Sequence, residues 1–69
     1  MDILATRIYS LRKEKHIRQE DAARELGIST RTYCRYETGE REPTAPTIVA
    51  LADLFGVSAD YLLGRSDER

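Results

Sequence analysis

The sequence predicts an all-α fold, a compact bundle of five short helices, on three observations. Apolar residues recur at helical spacing through most of the chain. No useful length alternates with period two, and start signals and glycines punctuate the apolar stretches. The first helix, residues 2–15, places Leu4, Ile8 and Leu11 at i, i+4 and i+7 on one face. The second, 19–26, turns Ala22, Ala23 and Leu26 inward, and its two alanines let another helix approach closely. The third, 30–37, carries Tyr33 and Tyr36 on one side. The fourth, 45–55, aligns Ile48, Leu51, Ala52 and Phe55, and Tyr61 and Leu62 serve the fifth, 59–63. Ser29, Thr44 and Ser58 stand where a side-chain oxygen accepts from the first unpaired N–H groups of a helix. Asp60 adds a first-turn carboxylate that the helix dipole favours. Gly27, Gly39, Gly56 and Gly64 stand where helices stop. Pro46 fits the first turn of the fourth helix, where its missing N–H has no intrahelical partner, and Pro43 marks the loop before it.

At 69 residues the chain is read as one domain, 2–64, followed by a polar tail, 65–69, expected to fray. Hydrophobic residues at 41% against 33% charged make a folded, soluble balance. No apolar run nears the ~18 residues that span a bilayer, and no signal-peptide pattern opens the chain, so a cytoplasmic protein without membrane contact is expected. Cys34 and His16 each occur once, which excludes an intrachain disulfide and a zinc site of the usual Cys/His type. They leave little for nucleophilic catalysis. The expectation is a non-enzyme with no cofactor, no metal and no evident small-molecule ligand.

Net charge is −1, short of the strongly basic balance that marks many nucleic-acid binders. Its distribution is uneven. Residues 1–41 carry nine Lys and Arg against seven acids, a balance of +2, whereas 42–69 carry two Arg against five acids, a balance of −3. The N-terminal two-thirds is the part suited to a polyanion.

The third helix points its chemistry outward. At 100° per residue from Thr30, Arg31 falls at about 100°, Cys34 at about 40°, Arg35 at about 140° and Thr38 at about 80° if the helix runs on. Tyr33 and Tyr36 fall opposite, at about 300° and about 240°, so the aromatic side is the core side. An eight-residue helix is roughly 12 Å long and fits a DNA major groove about 12 Å wide, where arginine matches guanine O6 and N7. A merely solvated polar face is the competing reading of this helix alone.

The segment before it shifts the balance. Gln19 through Leu26 reads as a helix, Gly27 as a turn and Ser29 as a new N-cap, the signature of a helix-turn-helix formed by the second and third helices. Gln19, Ala23, Leu26-Gly27-Ile28-Ser29, Tyr36-Glu37-Thr38-Gly39, Arg41, Pro43, Ile48 through Leu54 and Gly56 through Gly64 carry a resemblance over almost the whole chain. In these residues it resembles the phage-repressor-like (XRE/Cro-type) helix-turn-helix regulators. The resemblance implies a lambda-repressor-like DNA-binding fold.

By that resemblance, Gln19 bonds a DNA phosphate and braces the third helix. Thr30, Arg31 and Arg35 read base edges, with Thr32 and Cys34 at the margin of that surface. Thr38, Gly39 and Arg41 match positions that touch the phosphate backbone. Arg12 and Glu37 match a structural salt bridge. Three residues depart from the family pattern. Arg18 replaces the usual Ser or Thr N-cap of the second helix, so an N–H there needs water or Arg18 reaches a phosphate instead. His16 stands where many relatives have glycine and is read as a turn residue, since histidine tolerates the left-handed region. Cys34 is read as a small apolar contact to a base, such as a thymine methyl, rather than a redox switch, because the chain holds no partner cysteine.

The expected function is that of a sequence-specific double-stranded DNA-binding transcriptional regulator, a repressor of phage or bacterial origin, acting as a homodimer. Val49, Leu54 and Leu63, left over from the core stripes, are the candidate dimer contacts. With no effector segment in the chain, it is either a minimal repressor or one domain of a longer one. An antitoxin or a restriction-modification controller on the same scaffold is an alternative, as is a protein-interaction adaptor that no longer binds DNA.

Overall fold

The structure, a computed structural model, describes residues 2–69. Five helices form: α1 (Asp2–Glu14), α2 (Gln19–Leu26), α3 (Thr30–Thr38), α4 (Ala45–Phe55) and α5 (Ala59–Leu62), with no strand among the described residues. Three ends differ by one residue from the sequence reading. α1 stops at Glu14 and α3 runs on through Thr38. α5 stops at Leu62; Leu63 caps it in a right-handed conformation, and the left-handed turn falls on Gly64. Among the described residues no helix is long and apolar enough to cross a membrane.

α1 lies against α3, α4 and α5, while α2 packs on α3 and α4. Leu4, Ile8 and Leu11 from α1 meet Tyr33, Tyr36, Leu51, Phe55 and Leu62 in one buried cluster. Removing a Leu, Ile or Phe side chain of this kind from water is worth about 1.5–3 kcal/mol each. Ala22 and Ala23 are also sealed in it, and their lack of bulk brings α2 close to its neighbours. Leu26, Ile48 and Tyr61, expected inside, lie half-buried at the rim of the cluster.

The helix ends follow the local chemistry. Ser29, Thr44 and Ser58 accept from the N–H groups of Thr32, Thr47 and Tyr61. Arg18 caps α2 with its backbone only, and its guanidinium is held by acids of the same helix at 2.9 Å from both Asp21 Oδ2 and Glu20 Oε1. His16 takes φ 57°, the one positive value outside glycine among the described residues. That conformation closes α1: the N–H of His16 reaches Lys13 O and that of Ile17 reaches Arg12 O, each at 3.1 Å.

The tail corrects the sequence reading. Residues 65–69, expected to fray, fold back against α1 and α5. The guanidinium of Arg7 donates to the Tyr61 carbonyl, to the Ser66 carbonyl at 2.8 Å and to Asp67 at 2.9 Å. Arg69 pairs with Glu14 at 2.6 Å, and its carbonyl accepts the Ser58 N–H at 2.7 Å. Both guanidiniums also lie near the Tyr61 ring, 4.1 Å (Arg7) and 5.6 Å (Arg69) from its centroid. Arg7, counted above with the cations that face a polyanion, is therefore turned into the fold.

Candidate nucleic-acid interface

α2 and α3 are joined by the residues Gly27-Ile28-Ser29. Gly27 reverses the chain at φ 70°, Ile28 packs against the core and Ser29 starts α3. Tyr33 is fully buried and Tyr36 is 5% exposed, which fixes the rotation of α3 about its axis. Thr30, Arg31 and Arg35 are consequently exposed, as are Thr38, Gly39 and Arg41, whereas Thr32 and Cys34 are half-buried. The helix is about 13.5 Å long at 1.5 Å per residue.

The exposed side chains differ in how they are held. The Arg31 and Arg41 guanidiniums carry no ion pair among the described residues, and Arg35 lies 3.6 Å from Glu40 Oε2 in the loop after α3. Arg31, Cys34, Arg35, Thr38 and Glu40 together line a shallow depression on this face. Sequence reasoning missed Glu40. Its signal was its position just past Gly39, one loop step beyond the helix that carries Arg35.

Beneath this face lies a buried polar chain. Arg12 Nε lies 2.6 Å from Glu37 Oε2 and its Nη2 3.1 Å from Oε1, with the side chains 10% and 3% exposed. Arg12 also donates to the carbonyl of Ile17 at 2.9 Å, and Gln19 Nε2 donates to Glu37 Oε1 at 3.1 Å. Burial pushes the Glu37 carboxyl up, but hydrogen bonds from Arg12 and Gln19 with the adjacent Tyr33 hydroxyl outweigh it and hold the group below the usual carboxylate range. The Glu37 bond in turn raises Arg12. Burial first, and the neighbouring Glu37 second, push the Tyr33 phenol well above its ordinary value; its hydroxyl makes no well-formed hydrogen bond.

Cys34 departs from its expected part. Its Sγ lies 3.2 Å from Gln19 Oε1, so the thiol faces α2 and is not simply presented to a base. Arg18, expected near phosphate, is engaged by Asp21 and Glu20, although 71% of its side chain remains exposed. The candidate dimer contacts do not form one stripe. Val49 is 56% exposed, while Leu54 leans on the core and Leu63 is half-buried. Val49 and Leu54 stand about 140° apart around α4. Ile3 and Tyr9 on α1 are exposed apolar side chains that the pattern reading passed over.

A five-helix bundle with α2 and α3 joined by a glycine turn, and α3 showing its polar side outward, defines the helix-turn-helix class. The chain belongs to the helix-turn-helix family, whose model, described as "Helix-turn-helix", matches residues 8–62. It is similar to an uncharacterized HTH-type transcriptional regulator, YqaE, of Bacillus subtilis (strain 168), 42% identical over 84% of this chain and 51% of that protein. The HTH-type transcriptional regulator AnsR of the same organism is 41% identical over 91% of this chain and 54% of that one. The chain thus spans about half the length of these curated relatives. Among solved structures it is similar to the P22 c2 repressor in complex with a synthetic operator, with a TM-score of 0.82 and 32% identity over 86% of this chain and 89% of that chain.

Proposed function

We propose that this chain is the DNA-binding unit of a transcriptional regulator, a repressor that places α3 in the major groove of a double-stranded operator. The observation that carries this reading is the rotation of α3, with Tyr33 and Tyr36 sealed beneath it and Thr30, Arg31 and Arg35 exposed above. Likeness to a repressor whose structure contains its operator supports it. In this reading Thr30, Arg31 and Arg35 meet base edges, Arg31 and Arg35 being suited to guanine. Gln19, Thr32, Thr38, Gly39 and Arg41 meet phosphates, which set register and carry little sequence information. Arg18 joins them by exchanging its carboxylate partners for a phosphate.

A single short helix reads few base pairs, so the protein acts as a homodimer on half-sites about one helical turn apart. Val49, Leu54 and Leu63 remain the candidate contacts. The regulator is a non-enzyme and works in the cytoplasm without a cofactor. Selection of preferred sites from a random DNA pool, followed by a salt titration of affinity, tests the proposal. A recovered half-site motif and a log affinity that falls steeply with log salt are expected. No enrichment, and no affinity for random DNA at low salt, overturns it in favour of an adaptor that has left DNA.

A further inference from the structure

Gln19 joins the buried ion pair to Cys34 on α3, and its amide is held at both ends. Nε2 donates to Glu37 Oε1 at 3.1 Å, and Oε1 lies 3.2 Å from Cys34 Sγ. The chemistry of the partners fixes which way round the amide sits. A carboxylate can only accept, so the NH2 group must face Glu37, and the carbonyl is left for a donor. The Cys34 thiol is that donor. One N–H of Gln19 remains beyond the bond to Glu37, and α2 begins at this residue.

We propose that Cys34 is a positioning residue for phosphate binding. By donating S–H to the Gln19 carbonyl, it locks the amide with its remaining N–H directed at the DNA backbone. This inference rests on the DNA-binding reading above and deepens it. Arg12, Glu37, Gln19 and the phosphate form a chain of charge-assisted hydrogen bonds, and Cys34 closes its one loose end. Because Cys34 sits on α3 and Gln19 opens α2, the contact also ties the register of the base-reading helix to the phosphate grip. The lone thiol therefore acts as a hydrogen-bond donor, and a serine hydroxyl should replace it.

The test compares Cys34→Ala, Cys34→Ser and Gln19→Ala, each first checked by circular dichroism for native helix content. Two readouts are needed: the salt slope and affinity on random-sequence duplex DNA, and the Gln19 side-chain amide resonances in DNA-free protein. Cys34→Ala should weaken binding about two- to tenfold, the reach of one hydrogen bond. Its salt slope should stay that of the unaltered protein, because a neutral amide releases no counterion from the phosphate it bonds. Cys34→Ser should restore the affinity, and Cys34→Ala should add little on top of Gln19→Ala. Unchanged binding and unchanged amide resonances in Cys34→Ala overturn the proposal, as does an additive double variant. If the unaltered protein binds no DNA, the function above fails instead. The amide resonances then decide alone: a shift in Cys34→Ala that Cys34→Ser reverses keeps the lock, and no shift ends it.

Discussion

The pair between Arg12 and Glu37 is the most consequential polar contact for stability. With side chains 10% and 3% exposed, both charges have left water. Replacing Glu37 with alanine leaves the Arg12 guanidinium buried with only the Ile17 carbonyl to bond. Replacing Arg12 with methionine leaves the Glu37 carboxylate with Gln19. Breaking one side of such a pair costs about 3–5 kcal/mol, because the surviving charge stays uncompensated. A domain of 69 residues has roughly 3–10 kcal/mol of stability in all, so either change consumes a large share. At about 2.1 cal/mol/K of unfolding entropy per residue, each kcal/mol moves Tm by about 7 °C, and the loss is about 20–35 °C. Thermal and urea unfolding followed by circular dichroism measure it. Joint replacement by Met and Leu should recover much of the loss, since apolar side chains of similar volume need no partner. Single variants that each lose less than about 1 kcal/mol would show a pair behaving like an exposed one and refute the reasoning.

The same pair sets a pH response. Glu37 is held below its ordinary value of 4.5, so its contribution is complete above that pH and is lost as pH falls through the lowered folded value. Unfolding free energy measured from pH 6 to pH 2 should drop along this limb, and Glu37→Gln should flatten it; an equally steep limb in the variant would assign the acid response to other carboxylates. Arg31→Ala should relax preference at one base position at about 1–3 kcal/mol of discrimination, read by binding to operators varied one base at a time. Equal weakening on every sequence would contradict a base-reading role. Gln19→Ala should do the reverse and weaken all sequences alike, with the salt slope kept because a neutral amide releases no counterion. His16→Gly should stabilise by about 0.5–1 kcal/mol, because glycine takes φ 57° without the Cβ conflict that histidine meets there. A lower Tm in that variant would mean the imidazole makes a contact that matters more than the strain.

Helix positions, their caps and the inward stripes were legible because they depend on neighbours three or four residues apart, a distance at which sequence order equals spatial order. The outward face of α3 was legible for the same reason: two tyrosines on one arc set the rotation of the arginines on the other. His16 at the turn followed from the family resemblance, which has glycine there, together with histidine's tolerance of the left-handed region. Glu40 beside Arg35, and Arg18 turned to Asp21 and Glu20, needed more, since flexible side chains choose among several nearby partners. Leu54 against the core and Val49 in solvent likewise depend on how α4 is rotated in the packed bundle.

Periodicity and punctuation are enough to specify five helices and which side of each is apolar, because both arise within one or two turns of chain. Folding alone set the contacts between distant residues: Arg7 and Arg69 around Tyr61, residues 65–69 held against α1 and α5, and Cys34 against Gln19. Such contacts join residues 8 to 60 positions apart, and no spacing along the chain encodes which of several polar groups will be neighbours once water is excluded.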